Sequence, residues 1–85
     1  MVVGFYGSLL EHTNGEELFE PRFCSNLRDL VGELINRYGG SLEELLLGGA
    51  CFFLVNGKGV MTTGGLDTPL AQGDRIEVLP FVDAG

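Results

Sequence analysis

The residues best suited to chemistry in this chain stand at its end, Asp83-Ala84-Gly85. A tail that finishes on a small residue with a free carboxylate can enter a narrow active site on another protein. Glycine carries no side chain, so its backbone approaches a reactant closely. The tail therefore points to a carboxylate meant for chemistry. Small, frayed residues are also common at chain ends, and the tail alone does not separate the two readings.

Few other residues compete for a chemical role. Cys24 and Cys51 form no CxxC pair, and two thiols fall short of the four that an iron–sulfur cluster takes. Cys51 opens the apolar run Cys51-Phe52-Phe53-Leu54-Val55 and reads as a buried small hydrophobe. Cys24 stands just before a helix start, where a thiol pKa can fall; an inert thiol is the expectation. His12 is the single histidine and is expected in an exposed loop. The glycine pairs at 39–40, 48–49 and 64–65 precede no Lys-Ser or Lys-Thr, so they read as turns rather than phosphate cradles. No metal site, base or nucleophile stands out, and the chain is not expected to be an enzyme on its own.

Composition sets the frame. Eighty-five residues, 45% hydrophobic with six Phe, make one small domain with one modest core. The formal net charge of −7 argues against nucleic acid, whose phosphates it would repel, and favours a basic partner surface. No apolar run approaches the roughly 20 residues that cross a bilayer. No charged segment precedes an apolar one at the start, so a secretory signal is not expected. The expected location is cytoplasmic.

The elements that must position the tail follow from periodicity. Residues 1–9 alternate, with Met1, Val3, Phe5 and Leu9 on one face and Val2, Gly4, Tyr6 and Ser8 on the other. Residues 11–15 contain an Asn-Gly turn signal, and residues 16–20 return as a second strand to give a hairpin. Ser25 is the expected helix cap. Leu27, Leu30, Val31, Leu34, Ile35 and Tyr38 follow the helical stripe, and Gly39 stands where a left-handed C-terminal cap is wanted. Residues 41–47 form a short second helix or turn. Residues 50–55 are a strand turned by Asn56-Gly57, and Val60 and Met61 add a short strand. Gln72-Gly73-Asp74 turns into the last strand. The sum is an α+β roll, a mixed sheet of four to five strands with one main helix across one face. Residues 1–82 form the domain and 83–85 the tail.

One face of such a sheet should be polar. Val3, Phe5, Phe53, Val55, Ile76 and Val78 supply the helix-facing side by alternation. The opposite side then carries Tyr6, Phe52, Leu54, Leu79 and Phe81. An exposed patch of this kind marks a partner site, unless the short helix, the loops or a second copy cover it.

Three stretches carry a family resemblance: Val3-Gly4-Phe5-Tyr6-Gly7-Ser8-Leu9, Leu54-Val55-Asn56-Gly57, and Gly65-Leu66-Asp67-Thr68-Pro69-Leu70 running on to Gly73-Asp74. With the strand from Ile76 to Val82 and the final glycine, the chain resembles the ubiquitin-like β-grasp sulfur carriers of the MoaD/ThiS type. It looks most like the small subunit of molybdopterin synthase. The resemblance spans nearly the whole chain. It implies that an E1-like adenylyltransferase, using ATP, activates the Gly85 carboxylate, which becomes a thiocarboxylate. The carrier would bind no cofactor stably itself. Asp83 and Ala84 would thread the tail into the large synthase subunit, where sulfur passes to a pterin precursor. Tyr6, Phe52, Leu54, Leu79 and Phe81 would dock on both enzymes in turn. The family pattern ends Gly-Gly, often after Pro-Pro; here Ala84-Gly85 follows Pro80-Phe81. Two other readings share the residues: a carrier or modifier for another pathway (thiamine, tRNA thiolation or protein conjugation), and an interaction module that never carries sulfur.

Overall fold

A computed structural model of the chain describes residues 1–81; Val82 and the tail residues Asp83, Ala84 and Gly85 lie outside the described residues. Five strands form one sheet: β1 (Val2–Phe5), β2 (Leu18–Phe19), β3 (Cys51–Val55), β4 (Lys58–Gly59) and β5 (Arg75–Pro80). Their order is β2-β1-β5-β3-β4. The first and last strands lie side by side and parallel, with Val3 opposite Ile76 and Phe5 opposite Val78. The other three pairings are antiparallel, so the sheet is mixed as expected. A parallel pair cannot be joined by a tight turn, and the whole middle of the chain serves as the crossover.

Helix α1 (Leu27–Tyr38) fills that crossover and packs across one face of the sheet. Leu27, Leu30 and Leu34 are fully buried, together with Val3, Ile76 and Val78 from the central strands. Phe5 and Phe53 join the same core, while Val55 is only half-buried at its margin. The cap is Asn26 rather than Ser25: its side chain accepts the Asp29 N–H at 2.9 Å. The cap position falls one residue later because Ser25 and Asn26 also hold the 68–70 segment. The Ser25 carbonyl accepts from the Leu70 N–H and Leu27 donates to the Thr68 carbonyl. α2 (Gly40–Leu47) follows directly and buries Leu42 and Leu46.

Three expected strands are shortened. Residues 7–11 leave β1 as a 3-10 turn after Gly7 takes φ +60, a value that L side chains rarely adopt. Leu9 nevertheless reaches the core. β2 is two residues long because the Asn14-Gly15 turn, both with positive φ, and the buried Thr13 occupy the preceding chain. Thr13 Oγ1 donates to the Glu16 carbonyl at 2.9 Å. Val60 and Met61 belong to a 3-10 turn (Val60–Thr62), and the short strand is instead Lys58–Gly59, fixed by the Asn56-Gly57 turn. His12 is half-buried and meets Ser41 at 3.2 Å, tying the first 3-10 turn to α2 rather than standing free in a loop.

Two polar clamps hold the frame. Arg37 grips both oxygens of Glu16 at 3.1 and 3.0 Å, and its guanidinium stacks 4.4 Å from the Phe19 ring centre. That contact pins β2 to the end of α1. Asp74 accepts from Asn56 Nδ2 at 2.9 Å and from the Ala71 N–H at 2.7 Å, closing the turn that starts β5. These donors hold the Asp74 carboxyl below its usual range. No helix among the described residues is long and apolar enough to cross a membrane.

Gly39 joins the two helices with φ +93 and ψ −175, a backbone region that is essentially glycine's own. A Cβ there would meet no atom within 4 Å, so the cost of Gly39→Ala is purely conformational. We expect a loss of about 1–3 kcal/mol in a urea melt. Asp74 sets an acid limit. An unfolded chain binds a proton at this carboxyl more readily than the folded one, so acid favours unfolding. Its contribution is present above about pH 3.8 and is lost as pH falls through the lower folded value. Asp74→Asn should make the acid branch of the stability profile shallower. It should not flatten it, because Arg37 lowers Glu16 in the same way.

Candidate docking face and tail exit

The face of the sheet turned away from α1 carries the residues expected there. Register sets them out in rows: Leu79 opposite Phe52, and Glu77 opposite Leu54 and Gly4. Tyr6 stands one residue beyond the end of β1, beside this row, and is 36% exposed. Phe52, Leu54 and Leu79 are half-buried and Phe81 is exposed. The five predicted residues therefore share one side of the sheet, and none of them serves the core.

The face has two halves of different chemistry. On the β1 side, the Tyr6 hydroxyl donates to Glu77 Oε2 at 3.0 Å. The same hydroxyl stands by the Arg75 guanidinium and favours its charged form. The Tyr6 ring lies over Gly4, where a Cβ would stand in ordinary contact with it at 3.4 Å. On the β3 side the surface is apolar. The Phe52 and Phe81 rings pack 4.9 Å apart, tilted by 38°. An aromatic pair at this spacing gains stability beyond the area it buries.

That pair stands at the end of the described chain. The Phe81 N–H donates to the Ala50 carbonyl at 3.1 Å, one step past the end of β5. The chain is thus held in register with β3 up to its last described residue. Phe81, the last described residue, stands on the apolar half of the face, beside Phe52.

Neither thiol is set up as a nucleophile. Burial pushes Cys51 up to about 11, and its Sγ donates to the Leu45 carbonyl at 3.3 Å. Cys24 is raised by burial and by the nearby Glu33 and Asp29 carboxylates, which oppose the thiolate more than the helix start favours it. No group of three or more His, Cys, Asp or Glu that could hold a metal occurs among the described residues.

Sequence reasoning missed Leu18, which is 61% exposed on β2 opposite Gly4 and widens the open face. Alternation within residues 16–20 carried the signal, but the charged neighbours obscured it. It also missed Met61, Leu47 and Phe23, which are exposed elsewhere on the surface.

A mixed five-stranded sheet with central parallel first and last strands and one main helix across it defines the ubiquitin-like β-grasp class. The sequence matches the ThiS family model over residues 3–85, and the chain belongs to that family. Sequence comparison with curated proteins finds no match. Among solved structures, the chain is similar to CysO of Mycobacterium tuberculosis, with 27% identity, a TM-score of 0.82, and 95% of this chain and 98% of that one covered. It is similar to small archaeal modifier protein 1 of Methanosarcina acetivorans at 25% identity and TM-score 0.82, covering 99% and 94%. It is also similar to a chain in the complex of subunits 1 and 2 of the molybdopterin-converting factor of Helicobacter pylori. There the identity is 30% and the TM-score 0.65, with 99% and 96% covered. The chain is thus a member of a family of small ubiquitin-like sulfur carriers and modifiers.

The two faces should separate in mutagenesis. Phe5→Ala and Leu34→Ala remove side chains that are 2% and 0% exposed, and each should cost about 2–5 kcal/mol in a denaturant melt. Tyr6→Ala and Leu54→Ala should cost clearly less. Equal destabilisation by the two pairs would refute the assignment of faces.

Proposed function

We propose that this protein is a sulfur carrier for molybdopterin synthesis, the route to molybdenum and tungsten cofactors, with Gly85 as the reacting residue. The observation that carries the reading is the join of tail and face. The family match runs through residue 85, and the chain enters the tail from the Phe52–Phe81 corner of an open apolar surface.

A carboxylate resists substitution until one of its oxygens becomes part of a leaving group. The Gly85 carboxylate oxygen would attack the α-phosphorus of ATP on an E1-like adenylyltransferase, releasing pyrophosphate. A sulfur donor would then attack the acyl carbon. The carbon–oxygen bond to AMP breaks and AMP departs with the electron pair; where the donor is a persulfide, a partner thiol then cleaves the acyl disulfide, forming a disulfide with the donor's inner sulfur and leaving the thiocarboxylate. Asp83 and Ala84 would thread the tail into the large synthase subunit, where the sulfur is handed on. Tyr6, Phe52, Leu54, Leu79 and Phe81 would dock on each partner in turn. One face serving two enzymes makes their binding mutually exclusive, as a shuttle needs. The carrier keeps no cofactor of its own, the ATP belongs to the activating enzyme, and the setting is the cytoplasm.

A second reading has its own support. The resemblance to CysO and to the archaeal modifier protein is closer in shape than that to the molybdopterin-converting factor chain. The same activated tail would then serve another pathway, or would join to a protein amine.

The intact mass of the protein, after incubation with an adenylyltransferase of this kind, ATP and a sulfur donor, tests the carrier chemistry. The expected result is a gain equal to replacing one oxygen by sulfur, lost when Gly85 is deleted. No gain in the natural chain, with none restored by Ala84→Gly, would refute it. Transfer of that sulfur to a pterin precursor by a molybdopterin synthase large subunit separates the first reading from the second.

A further inference from the structure

Around the edge of β3 from the docking face lies a second apolar feature. β4 pairs only with Leu54 and Val55, so no strand covers the outer edge of β3 from Cys51 to Phe53. Beside this edge, and lined also by the 3-10 turns that follow, lies a groove of about 460 Å³. Its lining includes the buried Phe53 and Val60, the Phe52–Phe81 pair, and Met61, which is 84% exposed. Among the described residues, no charged side chain lines it. Pockets that take a ligand fall in roughly the 300–1,000 Å³ range and are lined in this way.

We propose that this groove receives one apolar side chain, aromatic or leucine-like, from the partner that takes the tail. The argument is one of reach. The four residues after Phe81 span at most about 14 Å when fully extended. A partner that seats Gly85 in its active site must therefore bring its surface close to Phe81. Phe81 is itself a wall of the groove, so the approaching surface must cover it. The surface around the groove is apolar, and an anchor that fills such a pocket at the centre of an interface carries much of its binding energy. The Phe52–Phe81 pair belongs to both the groove and the open sheet face, so the two would be covered together. The assignment of the partner rests on the carrier reading; the capacity of the groove to hold an apolar side chain does not.

Two substitutions change the groove without touching the core. Met61→Glu places a charge on its exposed lip. Gly59→Leu adds bulk at its β4 wall, where φ is −66 and a Cβ would meet nothing within 4 Å. Gly32→Leu, on the exposed side of α1 with equal room, is the matched control.

The first arm uses N-acetyl-phenylalaninamide, titrated into the labelled full chain and followed by NMR. Saturable shifts at the Val60 methyls are expected, and at the Met61 methyl where Met61 is retained; the Val60 shifts should be lost in Met61→Glu and Gly59→Leu and kept in Gly32→Leu. No saturable shift, or equal shifts at Leu18 on the far sheet edge, overturns the proposal. The second arm measures affinity for the adenylyltransferase by calorimetry without ATP. Both groove variants should bind about tenfold more weakly or worse, as expected for loss of one anchor. Wild-type affinity in both would overturn the assignment of the partner. A wild-type chain that is never loaded with sulfur would sink the carrier reading and leave the first arm standing.

Discussion

The parallel pairing of β1 with β5 is the constraint on which the rest depends. It places the two ends of the sequence at the centre of the sheet, where Val3, Ile76 and Val78 are wholly buried under α1. A sheet of two such strands has both margins open, and the middle of the chain supplies both. β2 adds to one margin and β3 with β4 to the other. Because β5 is central, the chain that leaves it must come off the middle of the sheet's end rather than a free edge.

That face owes its character to an imbalance. A five-stranded sheet offers two surfaces, and one twelve-residue helix covers only one of them. In a chain with seventeen charged residues, polar side chains would have been available for the other. Instead it holds aromatic and aliphatic residues around the Phe52–Phe81 pair, with Tyr6 hydrogen-bonded to Glu77 on the β1 side. Exposed apolar surface is costly in water, and its concentration where the tail departs fits a surface that is covered in use. The charges gather on the exposed side of α1 and in the loops, where Arg28 meets Asp67 and Arg37 meets Glu16.

The two cysteines show how burial decides chemistry. Both lie within hydrogen-bonding reach of a backbone carbonyl and both are raised by desolvation. A thiol held protonated is a weak nucleophile. Neither thiol of the described domain is therefore poised as a thiolate.

Much of this was determined by the sequence alone. The 3.6-residue stripe from Leu27 to Tyr38 placed α1, because only one side of it is apolar. Strict alternation in β1, β3 and β5 sorted Phe5 from Tyr6 and Phe53 from Phe52, because a strand points successive side chains to opposite faces. Asn14-Gly15 and Asn56-Gly57 marked their turns, because few other residues tolerate positive φ. Only the tertiary structure decided where strands stop. Gly7, Thr13 and Val60 end or replace expected strand through backbone angles and contacts with distant segments, which local pattern does not encode. The cap shifted from Ser25 to Asn26 for the same reason, since residues 68–70 lie against it. The groove beside β3 was likewise invisible, because it is made by a strand too short to cover its neighbour and by turns that arrive from elsewhere in the chain.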